Sequence, residues 1–195
     1  MEKKLEDLDD LLEKARNCTV CARDLPHLPN PIFSAAKFSK VLIIGQAPGL
    51  KAHESGIAFN DASGDRLRGW LSVSKPTFYN PKCISILPMG FCFPGYKNGA
   101  DAPPRKECAP TWHDAFLLHL KPQITLYVGR YAQQYYLPEY KSLTAAVNAT
   151  FASHDGHFVI PHPSGRNNRW LAQHPWFEAE SLPLLQNHIS NALEN

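Results

Sequence analysis

Four short apolar runs constrain this chain more than any other feature. They are "KVLIIG", "CISILP", "QITLYVG" and "HFVIP", and each stops at a glycine or a proline. Apolar runs of this length without alternation read as strands buried on both faces. Helical patterns lie between them, "GDRLRGWLSV", "TWHDAFLLHL", "RYAQQYYL" and "SLTAAVNAT", and a last helix is expected from about Phe177 to Leu193. Strands alternating with helices predict a three-layer αβα domain around a central, mostly parallel, four-stranded sheet. Ligands of such sheets bind at the carboxyl ends of the strands, so the loops after "VLIIG", "CISILP" and "HFVIP" should meet at one edge.

A chain of 195 residues is long enough for one such domain and too short for two. Leu5, Leu8, Leu11 and Leu12 give the N-terminus an amphipathic helical pattern. This helix and the cysteine-containing loop after it, residues 1–33, are expected to pack on the domain. Residues 1–16 hold six acids and four bases, leaving 12 acids against 16 bases in the rest, a balance that suits a phosphate-bearing partner without demanding one. No apolar run approaches a membrane-spanning length, and the charged N-terminus is unlike a signal peptide. A cytoplasmic monomer without a membrane partner is the expectation.

The loop "GQAPG" follows the first strand but is no phosphate loop. A Walker loop needs lysine and a hydroxyl residue after its last glycine, and a dinucleotide fingerprint needs three glycines at fixed offsets. Neither is present here. What the loop offers is Gln46, both donor and acceptor, between Gly45 and Ala47. Downstream, "GIAFNDASG" brings Phe59, Asn60 and Asp61. An aromatic ring beside a carboxylate suits a flat heterocycle, one stacking and the other activating water. The plainer alternative places Phe59 in the core and makes Asp61 a helix N-cap, with Ser63 as competitor. In "HPSGRNN", His162 directly follows a strand and can donate to an oxyanion, while Ser164, Arg166 and Asn167 can contact phosphates or a groove.

Cysteines supply a separate line of reasoning. Cys18 and Cys21 form a C-x2-C pair, and Cys92 and Cys108 lie in the long stretch "MGFCFPGYKNGADAPPRKECAP", which is expected to be irregular. Four thiolates from two loops suit a four-iron four-sulfur cluster or a structural zinc. Cys83, inside the second strand run, reads as a small buried hydrophobe.

Taken together, these motifs resemble the uracil-DNA glycosylase superfamily. "GQAPG" and "SGIAFNDASG" are similar to segments of its iron–sulfur type (family 4), and "HPSGRN" resembles the His-Pro-Ser motif of its single-strand-selective monofunctional type. The resemblance runs from about Cys18 to Phe177 and is carried by short motifs. It implies a DNA repair enzyme that hydrolyses the bond between a flipped, deaminated base and its sugar, with water as nucleophile. It also implies that Gly45, Gln46, Ala47, Phe59 and Met89 line the base pocket, and that Ser164, Arg166 and Asn167 hold DNA. Family 4 keeps a four-iron four-sulfur cluster on cysteines spaced like Cys18, Cys21, Cys92 and Cys108.

The resemblance breaks at two points. Ala47 stands where some families have their catalytic acid, so the acid is expected at Asp61, whose "DASG" resembles the Asp-x-Ser-Gly of family 5. Asn60 is second, with His53 and Glu54 further options. Many relatives also end the second strand in an asparagine that reads uracil, where this chain offers Pro88, Met89 and Gly90. Uracil is then a default, with hypoxanthine and xanthine open. A non-catalytic binder of DNA or a nucleobase on the same fold is the alternative. A hydrolase using Ser164 or Cys92 comes last, because no Gly-x-Ser-x-Gly elbow occurs.

Overall fold

The computed structural model describes residues 7–194, so Leu5 and the rest of the first six residues lie outside it. The first half of the chain forms α1 (Leu8–Arg16), β1 (Val41–Ile44), α2 (Leu50–Ser55), α3 (Ala62–Leu71), α4 (Lys75–Tyr79) and β2 (Ile84–Ile86). A hairpin follows, β3 (Tyr96–Lys97) and β4 (Ala100–Asp101), then α5 (Cys108–Leu117), β5 (Ile124–Val128) and α6 (Arg130–Tyr136). The chain continues through α7 (Leu143–Ser153), β6 (His157–Ile160), α8 (Asn168–Gln173) and α9 (Leu182–Glu194).

The main sheet is the one expected, with order β2-β1-β5-β6 and every pairing parallel. Its strands are buried along nearly their whole length, because helices cover both faces and leave no wet side for polar residues. The polar exception Ser85 is satisfied by the hydroxyl of Ser39 at 2.5 Å and the N–H of Ala36 at 3.1 Å. Helix α9 packs across β1 and β5 and against α3, with Trp70 edge-on to Phe177 at 5.3 Å. The chain runs from β1 outward to β2 and then crosses back to β5. The strand order therefore reverses beside β1, which opens a crevice at the carboxyl ends of β1 and β5.

Sheet edge β2 is covered rather than exposed. Ser34 exchanges both backbone hydrogen bonds with Ile86, at 2.7 and 2.9 Å, and Ile32 donates to the Phe91 carbonyl at 2.7 Å. These bonds fasten the N-terminal loop to the segment that leaves β2. Cys83 lies one residue before β2 and is half-buried, its carbonyl accepting from Lys40 and Val41.

Structure and expectation differ at several elements. The stretch from Met89 to Pro110 contains the β3–β4 hairpin, turned by Asn98 and Gly99 at φ 53° and 70°. Positive φ at both central residues is the turn that an Asn-Gly pair favours. Helix α5 begins at Cys108 rather than Thr111, since Pro110 falls in its first turn, where proline costs no hydrogen bond. The last helix opens with a π-helical turn over Phe177–Ser181 before α9. The short helices α2, α4 and α8 were not foreseen.

Helix α3 carries a tight constraint. A β-carbon at Gly64 would lie 1.7 Å from the Phe59 carbonyl oxygen, whereas one at Gly69 meets nothing within 4 Å. Gly64→Ala should therefore cost about 3 kcal/mol or more, by forcing backbone apart. That corresponds to a fall of roughly 6–12 °C in the unfolding midpoint measured by calorimetry. Gly69→Ala should leave the midpoint unchanged or raise it, since it only improves helix propensity.

Candidate active site

The crevice holds a pocket of about 330 Å³, at the lower end of the range for small-molecule sites. Its floor is the turn after β1. Backbone bonds from Met89 to the Gly45 carbonyl (2.9 Å) and from Gly90 to the Gln46 carbonyl (3.0 Å) pin this turn to the segment leaving β2. Gly45, Gln46 and Ala47 all line the pocket, as does Pro88 from the β2 side. Met89 is buried and is not among the lining residues.

Phe59 forms one wall. Its backbone is left-handed, φ 54°, a conformation costing roughly 1–2 kcal/mol for a residue with a β-carbon. Two donors hold it there: the Phe59 carbonyl accepts from Arg68 Nη1 at 3.3 Å and from the Tyr79 hydroxyl at 3.2 Å. Arg68 is itself buried and paired with Asp65. The Phe59 ring is backed edge-on by Phe78 at 6.1 Å and reaches to 3.2 Å from where a Gly45 β-carbon would be. Gly45 thus leaves room for the ring. Core packing and pocket lining are one placement here.

Asp61 is both the N-cap and a pocket residue. Its Oδ1 accepts from the Gly64 N–H at 2.9 Å and caps α3, while the carboxylate lines the pocket. Asn60 is turned to a separate depression bordered by Phe33, Lys75 and Tyr79. His53 and Glu54 are not among the pocket residues either.

His162 faces the pocket from the end of β6. Its Nδ1 accepts the Ser164 N–H at 3.3 Å, so the neutral ring carries its proton on Nε2 as a donor. Burial pushes its pKa below the ordinary value, and the Asp61 charge opposes that shift. Asn167 braces the loop through its Nδ2, which donates to the His162 carbonyl at 2.8 Å. Ser164, Arg166 and Asn167 stand on the rim. Arg166 is more than a free cation, for its Nη2 donates to the Gly99 carbonyl at 2.8 Å and ties the rim to the hairpin tip.

Sequence reasoning missed several lining residues, among them Asp101, Arg130 and Tyr131. Asp101 arrives on β4, its Oδ2 3.6 Å from where a Gly49 β-carbon would be. Its side chain is solvent-accessible in the open pocket. Even so, partial burial raises its pKa, the Arg166 charge lowers it and the Asp61 charge raises it. The "NG" of "YKNGAD" was the available signal. Arg130 and Tyr131 come from the start of α6, after the glycine that ends the third strand run.

A second concavity is lined by Cys18, Cys21, Cys92 and Cys108 together with Phe91 and Trp112. All four cysteines are free, and the N–H of Phe91 points at Cys108 Sγ, 3.3 Å away. Burial pushes the Cys92 thiol up to about 11 and the Cys108 thiol to about 12. As free groups both favour the protonated form at neutral pH, which disfavours Cys92 as a nucleophile. Among the described residues, no three His, Cys, Asp or Glu side chains are gathered closely enough to hold a single metal ion.

Fold and site define an α/β protein with a sheet-edge pocket suited to a flat ring and flanked by carboxylates. The pattern of the uracil DNA glycosylase superfamily matches residues 32–186, most of the chain, and the chain belongs to that superfamily. Proteins of the superfamily act on DNA, generally as N-glycosylases of uracil-like lesions. Among the described residues no helix is long and apolar enough to cross a membrane.

The buried-donor arrangement of His162 sets a pH expectation. A depressed pKa keeps the ring neutral above it and protonates it only as pH falls through the lowered value. In a nitrogen-15 NMR titration, His162 should protonate only below the ordinary histidine pKa of about 6.5, with the proton of its neutral form on Nε2. Titration at or above that value would refute the arrangement.

Proposed function

We propose that this protein is a monofunctional DNA glycosylase that removes a deaminated base by attack of water. The observation that carries this reading is that one short segment delivers both the Phe59 ring and the Asp61 carboxylate to a pocket that His162 enters from another strand. In this reading a flipped base stacks on Phe59 and is gripped at its edge by Gln46. Asp61 positions water and stabilises the positive charge that develops on the sugar. His162, neutral and donating from Nε2, stabilises negative charge on the departing base. The fixed cap on Asp61 Oδ1 leaves the other oxygen for the water. No lysine is among the pocket residues described, which supports a water nucleophile over Schiff-base chemistry. Arg166, Ser164 and Asn167 form the rim against which the DNA backbone lies.

Cys18, Cys21, Cys92 and Cys108 would hold a four-iron four-sulfur cluster, as in the family 4 type. All four line one concavity, so thiols from the N-terminal loop and from the segment after β2 converge there. When bound, such a cluster supplies a covalent tie between the two loops, with the Phe91 N–H donating to a ligand sulfur.

Two measurements test these readings. Oligonucleotides bearing uracil, hypoxanthine or xanthine, treated with alkali after incubation, should be cut where the base was lost. Asp61→Asn and His162→Ala should each reduce the rate by about 100-fold or more. Binding without cleavage of any substrate would favour a non-catalytic binder instead. Protein purified without oxygen should be brown, with broad absorbance in the blue and about four irons per chain. Cys108→Ser should abolish the colour, and a colourless wild type containing zinc would overturn the cluster.

A further inference from the structure

The β2 side of the pocket has no free backbone N–H to offer a base edge. Pro88 has no N–H, and its carbonyl already accepts from His113 Nε2 at 3.0 Å. The N–H groups of Met89 and Gly90 are spent on Gly45 and Gln46. A proton for a bound base must therefore come from side chains elsewhere in the pocket, and two of these are carboxyls. Asp61 enters from the start of α3 and Asp101 from the hairpin that overhangs the β1 turn. The hairpin is held over the pocket by the bond from Arg166 to Gly99 and by its own turn geometry.

We propose that Asp101 is the proton donor to the departing base, and that the base is a deaminated purine. This deepens the glycosylase reading and rests on it. A carboxylic acid needs a lone pair to protonate away from the breaking bond. The imidazole ring of a purine offers such a nitrogen, whereas uracil, whose ring nitrogen remote from the sugar carries a hydrogen, offers only its far less basic carbonyl oxygens. The step balances as follows. The glycosidic bond breaks with its electron pair going to the base, and the Asp101 proton passes to the imidazole nitrogen, so the base leaves neutral. The water oxygen bonds to the anomeric carbon while Asp61 takes a water proton. Asp101 ends ionised and Asp61 protonated, and exchange with solvent resets both.

The charged and titratable groups around Asp101 fit this division. Asp61 and burial raise its pKa, Arg166 lowers it, and His162 and Arg130 also border the pocket. A base seated in the pocket excludes further water, which favours the neutral acid. Asp61 has one oxygen held by the Gly64 N–H and keeps the other for the water. Activity should then fall as pH rises through the Asp101 pKa, and fall separately in acid as His162 takes up a proton.

The experiment compares wild type and Asp101→Asn on oligonucleotides carrying hypoxanthine, xanthine, uracil, or the deaza analogue of hypoxanthine in which C–H replaces the imidazole nitrogen remote from the sugar. Wild type should excise a deaminated purine faster than uracil. Asp101→Asn should lose about 100-fold or more on that purine and lose the alkaline fall of the pH profile. Wild type should lose a similar factor on the deaza analogue, with no further loss in the variant. That substrate-side readout does not depend on how the variant folds. Equal purine excision by wild type and variant, normal excision of the deaza analogue, or a preference for uracil would each overturn the inference while leaving glycosylase activity intact. Excision of no base by wild type would overturn the glycosylase reading and the inference with it.

Discussion

Close contact between the Phe59 carbonyl and Gly64 is the constraint on which the site depends. It brings the chain before α3 against the first turn of that helix so closely that no side chain fits at Gly64. The contact needs Phe59 in a left-handed conformation, which a phenylalanine resists by roughly 1–2 kcal/mol. Hydrogen bonds from Arg68 and Tyr79 to the same carbonyl oppose that cost, and a bond from a charged donor contributes about 1.5–3 kcal/mol. The balance favours the strained form. Once it is set, the ring must lie over Gly45 and the next turn must begin at Asp61. The stacking surface and the carboxylate are thus fixed relative to each other by one backbone decision.

The opposite side of the pocket is assembled from pieces far apart in sequence. The loop after β6 is stiffened internally by Ser164 to His162 and Asn167 to His162, and externally by Arg166 to Gly99. These bonds reach the three-sided cleft from its polar rim, where loops carry function on a rigid sheet. Arg166 serves two ends at once. Its guanidinium positions the hairpin and sets the potential felt by Asp101, so the rim and the carboxyl pair are electrostatically one unit.

Much of this arrangement was legible in the residues, and the failures have physical reasons. Apolar runs ending in glycine or proline mark buried parallel strands because both faces of such strands are covered, and all four appear where expected. Strand order was not legible, since nothing in a run such as "VLIIG" records which neighbour it pairs with. Phe59 and Asp61 were read as either structural or pocket residues, and each is placed as both: a ring half in the core can show its other face to the pocket, and a cap uses one carboxylate oxygen of two. Asp101 was hidden because prolines on either side of "YKNGAD" made the stretch look irregular. A two-residue hairpin has too few strand residues to show alternation. Asn60 and Met89 were placed by sequence adjacency, but a left-handed residue before one and a committed backbone N–H on the other turn them from the pocket.

The cysteine region and the base pocket share a wall. The segment from Ile86 to Cys92 leaves β2, pairs with Ser34 and Ile32 of the N-terminal loop, and presents Pro88 to the pocket and Cys92 to the cysteines. Helix α5 spans the same distance on the other side. Its first residue, Cys108, accepts from Phe91, and His113 along the helix holds the Pro88 carbonyl. His113 is fully buried, its Nε2 proton committed to a carbonyl, so its Nδ1 must accept from Tyr136, 2.6 Å away. An apolar pocket wall with no spare N–H is the result of these commitments, and not of one proline alone. Ordering a loop of this length opposes folding by roughly 1–2 kcal/mol per residue. The bonds that offset this cost are the same ones that use up the backbone N–H groups on this side of the pocket. Polar side chains reach the pocket instead from the hairpin, the β6 loop and the segments before α3 and α6.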